Sequence, residues 1–379
     1  MQPAVRRTIT FFLCALALLL AFGLVLVYSA SSTVYAGNPN HFVVRQSISL
    51  ALAIVIGCIV SRIDYHLWSR LGSVLTIAVL VLAGTLAVFF FEARNGSHRW
   101  IDLGFYQLQP SEFAKIGILT IFAAWFDRVG PRSTSFLRGF LYPGLILGLL
   151  TAPILLAPDF GSTVVVLMIV GSIFLAAGTR LRYLLAGLGG VAAGLAVLIA
   201  KDPHRLTRVR DYWNMLTGEG GAQAHQTVQS INAFVIGGPL GVGLNNSIQK
   251  YRYLPEAHTD CIYAIAGEEL GLAASVGIIL LFGVLLVCGA WIAFRAHDRF
   301  GRFLGLGITI LLGFEAGFNM GMVMGCLPTK GLALPFLSYG GSSLLATMIA
   351  VGLLMNIARQ TGLAGTGEPS GMRNALKRI

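Results

Sequence analysis

Apolar segments long enough to cross a bilayer recur along the whole of this sequence, and that restricts the chain to folds that satisfy their backbone polar groups internally. They fall at approximately 9–30, 43–61, 71–91, 112–126, 138–157, 160–178, 183–200, 262–294, 303–326 and 342–358. A helix needs about 20 mostly apolar residues to span the hydrocarbon core. The pattern therefore predicts an all-α, polytopic membrane protein of about ten transmembrane helices. The run at 112–126 is short, as expected of a helix that begins below the surface of a cavity. Composition agrees: 56% of the 379 residues are hydrophobic and only 11% charged, outside the range of soluble domains.

A formal charge of +11 would suit a nucleic-acid binder, but the basic residues sit in short clusters between the apolar runs. That distribution is an orientation signal. With the N-terminus inside, Arg6, Arg7, Arg62, Arg70, Arg128, Arg132, Arg138, Arg180, Arg182, Arg295, Arg299, Arg302 and Arg359 all fall on the cytoplasmic side, which puts both ends there. Arg6 and Arg7 followed by an apolar run resemble a secretory leader, yet Phe11 to Val27 exceeds the roughly 7 to 15 residues of a leader core, so a retained span is expected. Cys14, Cys58, Cys261, Cys288 and Cys326 are scattered and suggest neither a zinc site nor a disulfide framework.

The chain reads as one membrane domain, 1–379, with a cytoplasmic tail at 360–379 and one large extracellular loop, 201–259, between helices 7 and 8. Such a loop should hold helices of its own. Arg205, Arg208, Tyr212, Trp213 and Leu216 recur at helical spacing and suit an interfacial helix, while Gly237, Gly238, Pro239, Gly241 and Gly243 predict tight turns. No nucleotide-binding loop supports coupling to ATP. Gly313, Gly317, Gly321 and Gly325 lie at four-residue intervals on the ninth span, either for packing inside the bundle or for docking a partner's helix.

Ionisable groups at membrane depth are functional candidates. Glu112 and Lys115, three residues apart after Pro110 and Ser111, share a helical face and predict an ion pair, catalytic or structural. Asp159 sits in an outer turn where an N-cap role competes with a chemical one. Arg45, at the outer start of the second span, either binds phosphate or snorkels to the surface. Asp260 ends the polar stretch Tyr253 to Asp260 at the mouth of the eighth helix, placed either as an N-cap or as a general base for a substrate hydroxyl. Glu268 and Glu269 are expected to pair inside the bundle. The stretch Leu327 to Ser343, with Lys330, is too long and apolar for a plain turn and reads as re-entrant, lining a cavity or packed as a hairpin.

Together these stretches resemble the SEDS family (shape, elongation, division, sporulation) of peptidoglycan glycosyltransferases. The resemblance runs from Gly23 to Ser31, through Gly96-Ser97-His98-Arg99-Trp100-Ile101 to Lys115, Pro158 to Gly161, Gln229-Ser230, Leu254 to Asp260, Gly267 to Gly271 and Leu327 to Ser343. Pro328-Thr329-Lys330-Gly331 looks like the division branch, FtsW-like more than RodA-like. The resemblance implies a polymerase of lipid II. Asp260 would be its essential aspartate, and Arg45, Glu112, Lys115, Asp159, Lys330 and Ser338 its substrate-binding positions. It also implies a class B penicillin-binding protein, an FtsI-like transpeptidase, as partner among other division proteins. No organic cofactor is expected; a divalent cation, Mg or Mn, would serve the pyrophosphate. Departures stand at Ala157, Cys261, Tyr263 and Glu315, the last where a neutral amide is usual; Asn319 on the next turn is a candidate partner for it. The rival readings are a lipid II flippase, an elongation polymerase and a non-catalytic scaffold; the gathering of polar groups at outer helix ends counts against a flippase.

Overall fold

The computed structural model describes residues 3–31, 40–92, 97–104, 106–201, 206–207, 210, 213–214, 217, 224–251, 254, 257–329 and 331–364. Its helices are α1 Pro3–Ser31, α2 His41–Val60, α3 Leu71–Ala87, α4 Pro110–Val129, α5 Tyr142–Leu156, α6 Phe160–Ala176, α7 Leu181–Lys201, α8 Ala224–Gly237, α9 Ile262–Arg295, α10 Arg299–Val323 and α11 Gly341–Ala364. Among the described residues, α1, α2, α9, α10, α11 and the segments Leu71–Phe90 and Leu137–Leu156 are long and apolar enough to cross a membrane. The shorter apolar α6 and α7, with α4, complete the ten crossings expected. The five cysteines form no disulfide with one another.

Two elements differ from the expected runs. The short run at 112–126 belongs to α4, a helix of 20 residues, because Pro110 supplies a preset first turn and the buried Glu112 and Lys115 extend the helix where hydropathy falls. The long eighth run is two helices joined at Gly271, whose φ of 77° and ψ of −173° break the helical path. The turns predicted around Gly241 fill that break. Val242 and Gly243 N–H donate to Glu268 and Glu269 C=O, and Leu272 and Ala273 N–H donate to Gly238 and Pro239 C=O, at 2.9–3.3 Å. The helix ends left open by the break are thus satisfied by loop backbone.

The buried centre consists of α10, α11 and α4, while α7 is exposed along almost all of its described length. Close approach depends on small residues. A Cβ on Gly307 would meet Leu119 of α4 at 2.1 Å, and one on Gly352 would meet the Gly57 carbonyl of α2 at 2.6 Å. The segment between α10 and α11 is non-helical, with Leu334, Phe336 and Leu337 buried and the Phe336 carbonyl lying where a Cβ of Gly23 would be. Non-helical backbone buried in protein in this way suits either reading of the stretch, re-entrant or packed as a hairpin.

Of the large loop, α8 is described throughout, and Leu206, Thr207, Arg210, Trp213, Asn214 and Thr217 are helical where a helix is predicted; Trp213 is exposed, and Arg205, Arg208, Tyr212 and Leu216 lie outside the described residues. The glycine series does not act as one face. Gly313 packs toward Leu286 and Gly321 toward Leu327, Gly317 has open space, and Gly325 lies beyond the end of α10 with φ of 78°.

Candidate functional site

Three helix beginnings and the re-entrant segment converge at one end of the bundle. A two-stranded hairpin, β1 Ile101–Asp102 and β2 Gln107–Leu108, leads the chain into α4. Ser342 of α11 receives the Gln109 N–H at 3.1 Å and donates to the Gln107 carbonyl at 2.9 Å, which fixes where α4 starts. Tyr106, in the hairpin, has its phenol pushed up from the ordinary tyrosine range by burial.

Lys115 and Glu112 form the predicted pair, with Nζ 2.8 Å from Oε2. The same ammonium also binds Glu315 of α10, so the departure at position 315 completes a carboxylate–ammonium–carboxylate cluster rather than bonding Asn319. All three are buried, and Lys115 is 3% exposed. Its charge is committed to protein carboxylates.

Asp159 is the N-cap of α6. Its Oδ1 accepts from Ser162 N–H at 3.3 Å, and its Oδ2 accepts from Ser111 Oγ at 2.8 Å and from Gln109 Nε2 at 3.4 Å. The preceding Pro158 carbonyl accepts from the Arg99 guanidinium. Arg99 Nε is buried without a partner among the described residues, beside a small cavity that His98, Ser111 and Asp159 also line. A Cβ on Gly161 would stand 3.1 Å from Leu332, so the Asp159 turn rests against the re-entrant segment.

Asp260 lies in the turn just before α9 and is partly exposed. Its carboxylate stands over Gly331: a Cβ there would be 2.9 Å from Oδ2. The turn is tied to its surroundings by its carbonyls. Tyr339 N–H donates to His258 O at 3.0 Å, Ser338 Oγ to Thr259 O, and Asn319 Nδ2 to Asp260 O at 2.8 Å. Ser338 Oγ also accepts from Leu334 N–H at 2.8 Å, so its hydroxyl is occupied by backbone.

From α2, Gln46 reaches this segment, donating to Ser338 O at 3.2 Å and accepting from Gly340 N–H at 3.3 Å; Phe42 packs against His258 and Tyr339. Arg45, one residue away, is exposed. Lys330 lies outside the described residues. Sequence reasoning missed Gln46, which sits inside an apolar run without a charged signal, and Lys250. Lys250 Nζ lies 3.2 Å from Glu269 and 3.1 Å from Ser29 of α1, while Glu268 accepts from Ile248 N–H at 2.9 Å and from Ser247 Oγ. The two glutamates therefore anchor the outer loop, Glu269 through a buried ion pair with Lys250 and Glu268 through the Ile248 N–H and Ser247. Among the described residues no group of three or more His, Cys, Asp and Glu could hold a metal ion, so these side chains by themselves do not build a site for the expected divalent cation.

The family model described as cell cycle protein, FtsW/RodA/SpoVE, matches residues 9–363. A probable peptidoglycan glycosyltransferase FtsW of Coxiella burnetii is 40% identical over 357 residues, covering 92% of this chain and 95% of that protein. The protein of the same name from Trichlorobacter lovleyi is 41% identical over 351 residues, covering 91% and 92%. In fold, the chain is similar to one in a structure described as "Structural coordination of polymerization and crosslinking by a peptidoglycan synthase complex", with a TM-score of 0.77, 26% identity and coverage of 92% and 97%. The rod shape determining protein RodA of Thermus thermophilus aligns with a TM-score of 0.68, 26% identity and coverage of 92% and 96%. Sequence and fold agree over nearly the whole length, and this multi-pass bacterial membrane protein belongs to the FtsW/RodA/SpoVE family, the SEDS family that its motifs resemble.

Proposed function

We propose that this chain is a peptidoglycan glycosyltransferase that polymerises lipid II into β-1,4 glycan strands during cell division, with Asp260 as general base. The observation that carries the reading is the contrast between Asp260 and the other acids of the site. Glu112, Glu315, Glu268 and Asp159 are buried, whereas Asp260 is partly exposed on a turn held by its backbone. A carboxylate so placed can accept a proton from a hydroxyl within about 3 Å.

The acceptor sugar's 4-hydroxyl loses its proton to Asp260 as its oxygen bonds to the anomeric carbon of the donor's N-acetylmuramic acid. The bond from that carbon to the lipid pyrophosphate breaks with inversion, and the electron pair leaves on the pyrophosphate. The exposed Arg45 guanidinium is a described cation suited to the departing charge, whereas Lys115 binds two carboxylates. A polyprenyl tail would lie against the lipid-facing helices while the sugars stay in water.

The partner in this reading is an FtsI-like transpeptidase, and the chain sits at the septum with both termini in the cytoplasm; a divalent cation would supply further positive charge at the pyrophosphate. The likeness to a complex described by polymerisation and crosslinking supports the partner. The open space at Gly317 leaves part of α10 able to accept a helix. The test is polymerisation of purified lipid II by the full chain with its partner. Asp260→Ala and Asp260→Asn should lose about 10²- to 10⁴-fold in rate, the contribution of a general base. Undiminished glycan synthesis by both variants would refute the assignment, and lipid II crossing vesicle membranes without polymerisation would favour a flippase.

A further inference from the structure

We propose that Asn319 is a positioning residue for the Asp260 carboxylate and that Gly331 is the seat on which that carboxylate rests; the inference rests on the general-base reading above. Three consecutive carbonyls, of His258, Thr259 and Asp260, accept from Tyr339 N–H, Ser338 Oγ and Asn319 Nδ2. Two of these donors belong to the re-entrant segment. The third comes from α10 and joins the two structures, because Asn319 Nδ2 also donates to Leu332 O at 2.6 Å.

A primary amide suits this task. Its two N–H bonds diverge toward two carbonyls on separate stretches of chain, whereas serine offers one hydrogen and aspartate, when ionised, none. The orientation is determined by its neighbours, since turning the amide over would set Oδ1 against two carbonyl oxygens. Asn319 is fully buried and its Oδ1 has no partner among the described residues. A buried amide with an unpaired oxygen costs stability that a leucine of similar volume would not. What the amide supplies in return is a fixed distance between the Asp260 backbone and Leu332, the neighbour of Gly331.

Gly331 acts from the other side. A Cβ would lie 2.9 Å from Asp260 Oδ2, slightly inside contact distance, so the carboxylate keeps its present place over a bare Cα and would have to give by a few tenths of an ångström to a methyl group. Backbone anchor and seat together aim the carboxylate. Asn319 is carried on α10, which Glu315, four residues earlier, ties to Lys115 of α4.

The experiment compares wild type, Asn319→Leu, Gly331→Ala and Asp260→Asn, each as the full chain, in initial-rate polymerisation across lipid II concentrations. A thermal melt of each checks folding. Asn319→Leu removes both donors at similar volume; Gly331→Ala displaces the carboxylate and leaves the donors in place. Asn319→Leu should lower kcat by up to about 100-fold, the effect of an approximately 1 Å misplacement, and Gly331→Ala by less, with KM unchanged in both. Should Asn319→Leu fail to fold, Gly331→Ala decides alone. Wild-type kcat in the folded variants, or a raised KM with kcat retained, overturns the proposal. An inactive Asp260→Asn beside fully active Gly331→Ala and Asn319→Leu overturns the positioning alone, whereas an active Asp260→Asn overturns the general-base reading beneath it.

Discussion

Lys115 holds two carboxylates apart in the middle of the bundle, and its removal leaves more charge unpaired than it takes away. Losing one partner of a buried pair costs about 3–5 kcal/mol. Lys115→Met, which strands Glu112 and Glu315 together, should reach or exceed that and show as a lost melting transition or lost yield in detergent. Glu315→Gln leaves a one-to-one pair between Lys115 and Glu112 and should keep the fold; a variant as unstable as Lys115→Met would mean that the second carboxylate is needed as a charge. Half of this cluster was legible, because a spacing of three residues on a helix brings side chains together whatever the fold. Glu315 stood out only as an acid at membrane depth, since its partner is 200 positions away in the chain. Ser338 shows the reverse limit: a hydroxyl in a site motif suggests substrate contact, while its position commits it to Leu334 and Thr259.

The interrupted helix α9 shows what apolar composition conceals. Hydropathy makes 262–294 one long run, and only a helix of 34 residues, too long for a bilayer about 30 Å thick, hints at a break. The break needs donors and acceptors for its open ends, and these come from Gly238 to Gly243, a turn that the sequence predicts without its destination. Gly241 and Gly271 have φ of 80° and 77°, and a Cβ on either would stand 2.2 or 2.4 Å from the other segment's backbone. Gly241→Ala and Gly271→Ala should each destabilise by at least about 1–3 kcal/mol, the range for strained backbone. The expected result is a lower Tm and a weaker polymerase, because the displaced segment begins two residues after Asp260. An unchanged Tm in both would show that the exchange of hydrogen bonds is dispensable.

Across the whole molecule, the two ends of the bundle are held by different chemistry. α2 and α11 run from the Asp260 end to the opposite one, about 30 Å away for 20 residues of helix. There His66 Nδ1 lies 2.8 Å from Asp64 and Nε2 lies 3.6 Å from Asp298, the N-cap of α10, while Tyr65 donates to Asp298 and Asn356 donates to Ser61 O at 2.7 Å. Asp298, and then Asp64, raise the His66 pKa to about 9 against the opposing effect of burial. Burial opposes ionisation of Asp298, but His66, Tyr65 and the Gly301 N–H outweigh it and hold the pKa at about 2. The His66 contribution is therefore complete below its ordinary value of 6.5 and lost as pH rises through about 9; that of Asp298 is present above 3.8 and lost as pH falls through about 2. Tm should decline between pH 6.5 and 9, and His66→Ala should remove that slope; an identical slope in the variant would assign it elsewhere. The sequence by itself determined the solvent, the helix count and the residue types able to do chemistry, because insertion in lipid requires long apolar helices and makes every buried charge conspicuous. Only the tertiary structure decided which acids are buried and which one reaches the surface of the site, since contacts between segments far apart in the chain depend on where the helices cross, break and begin.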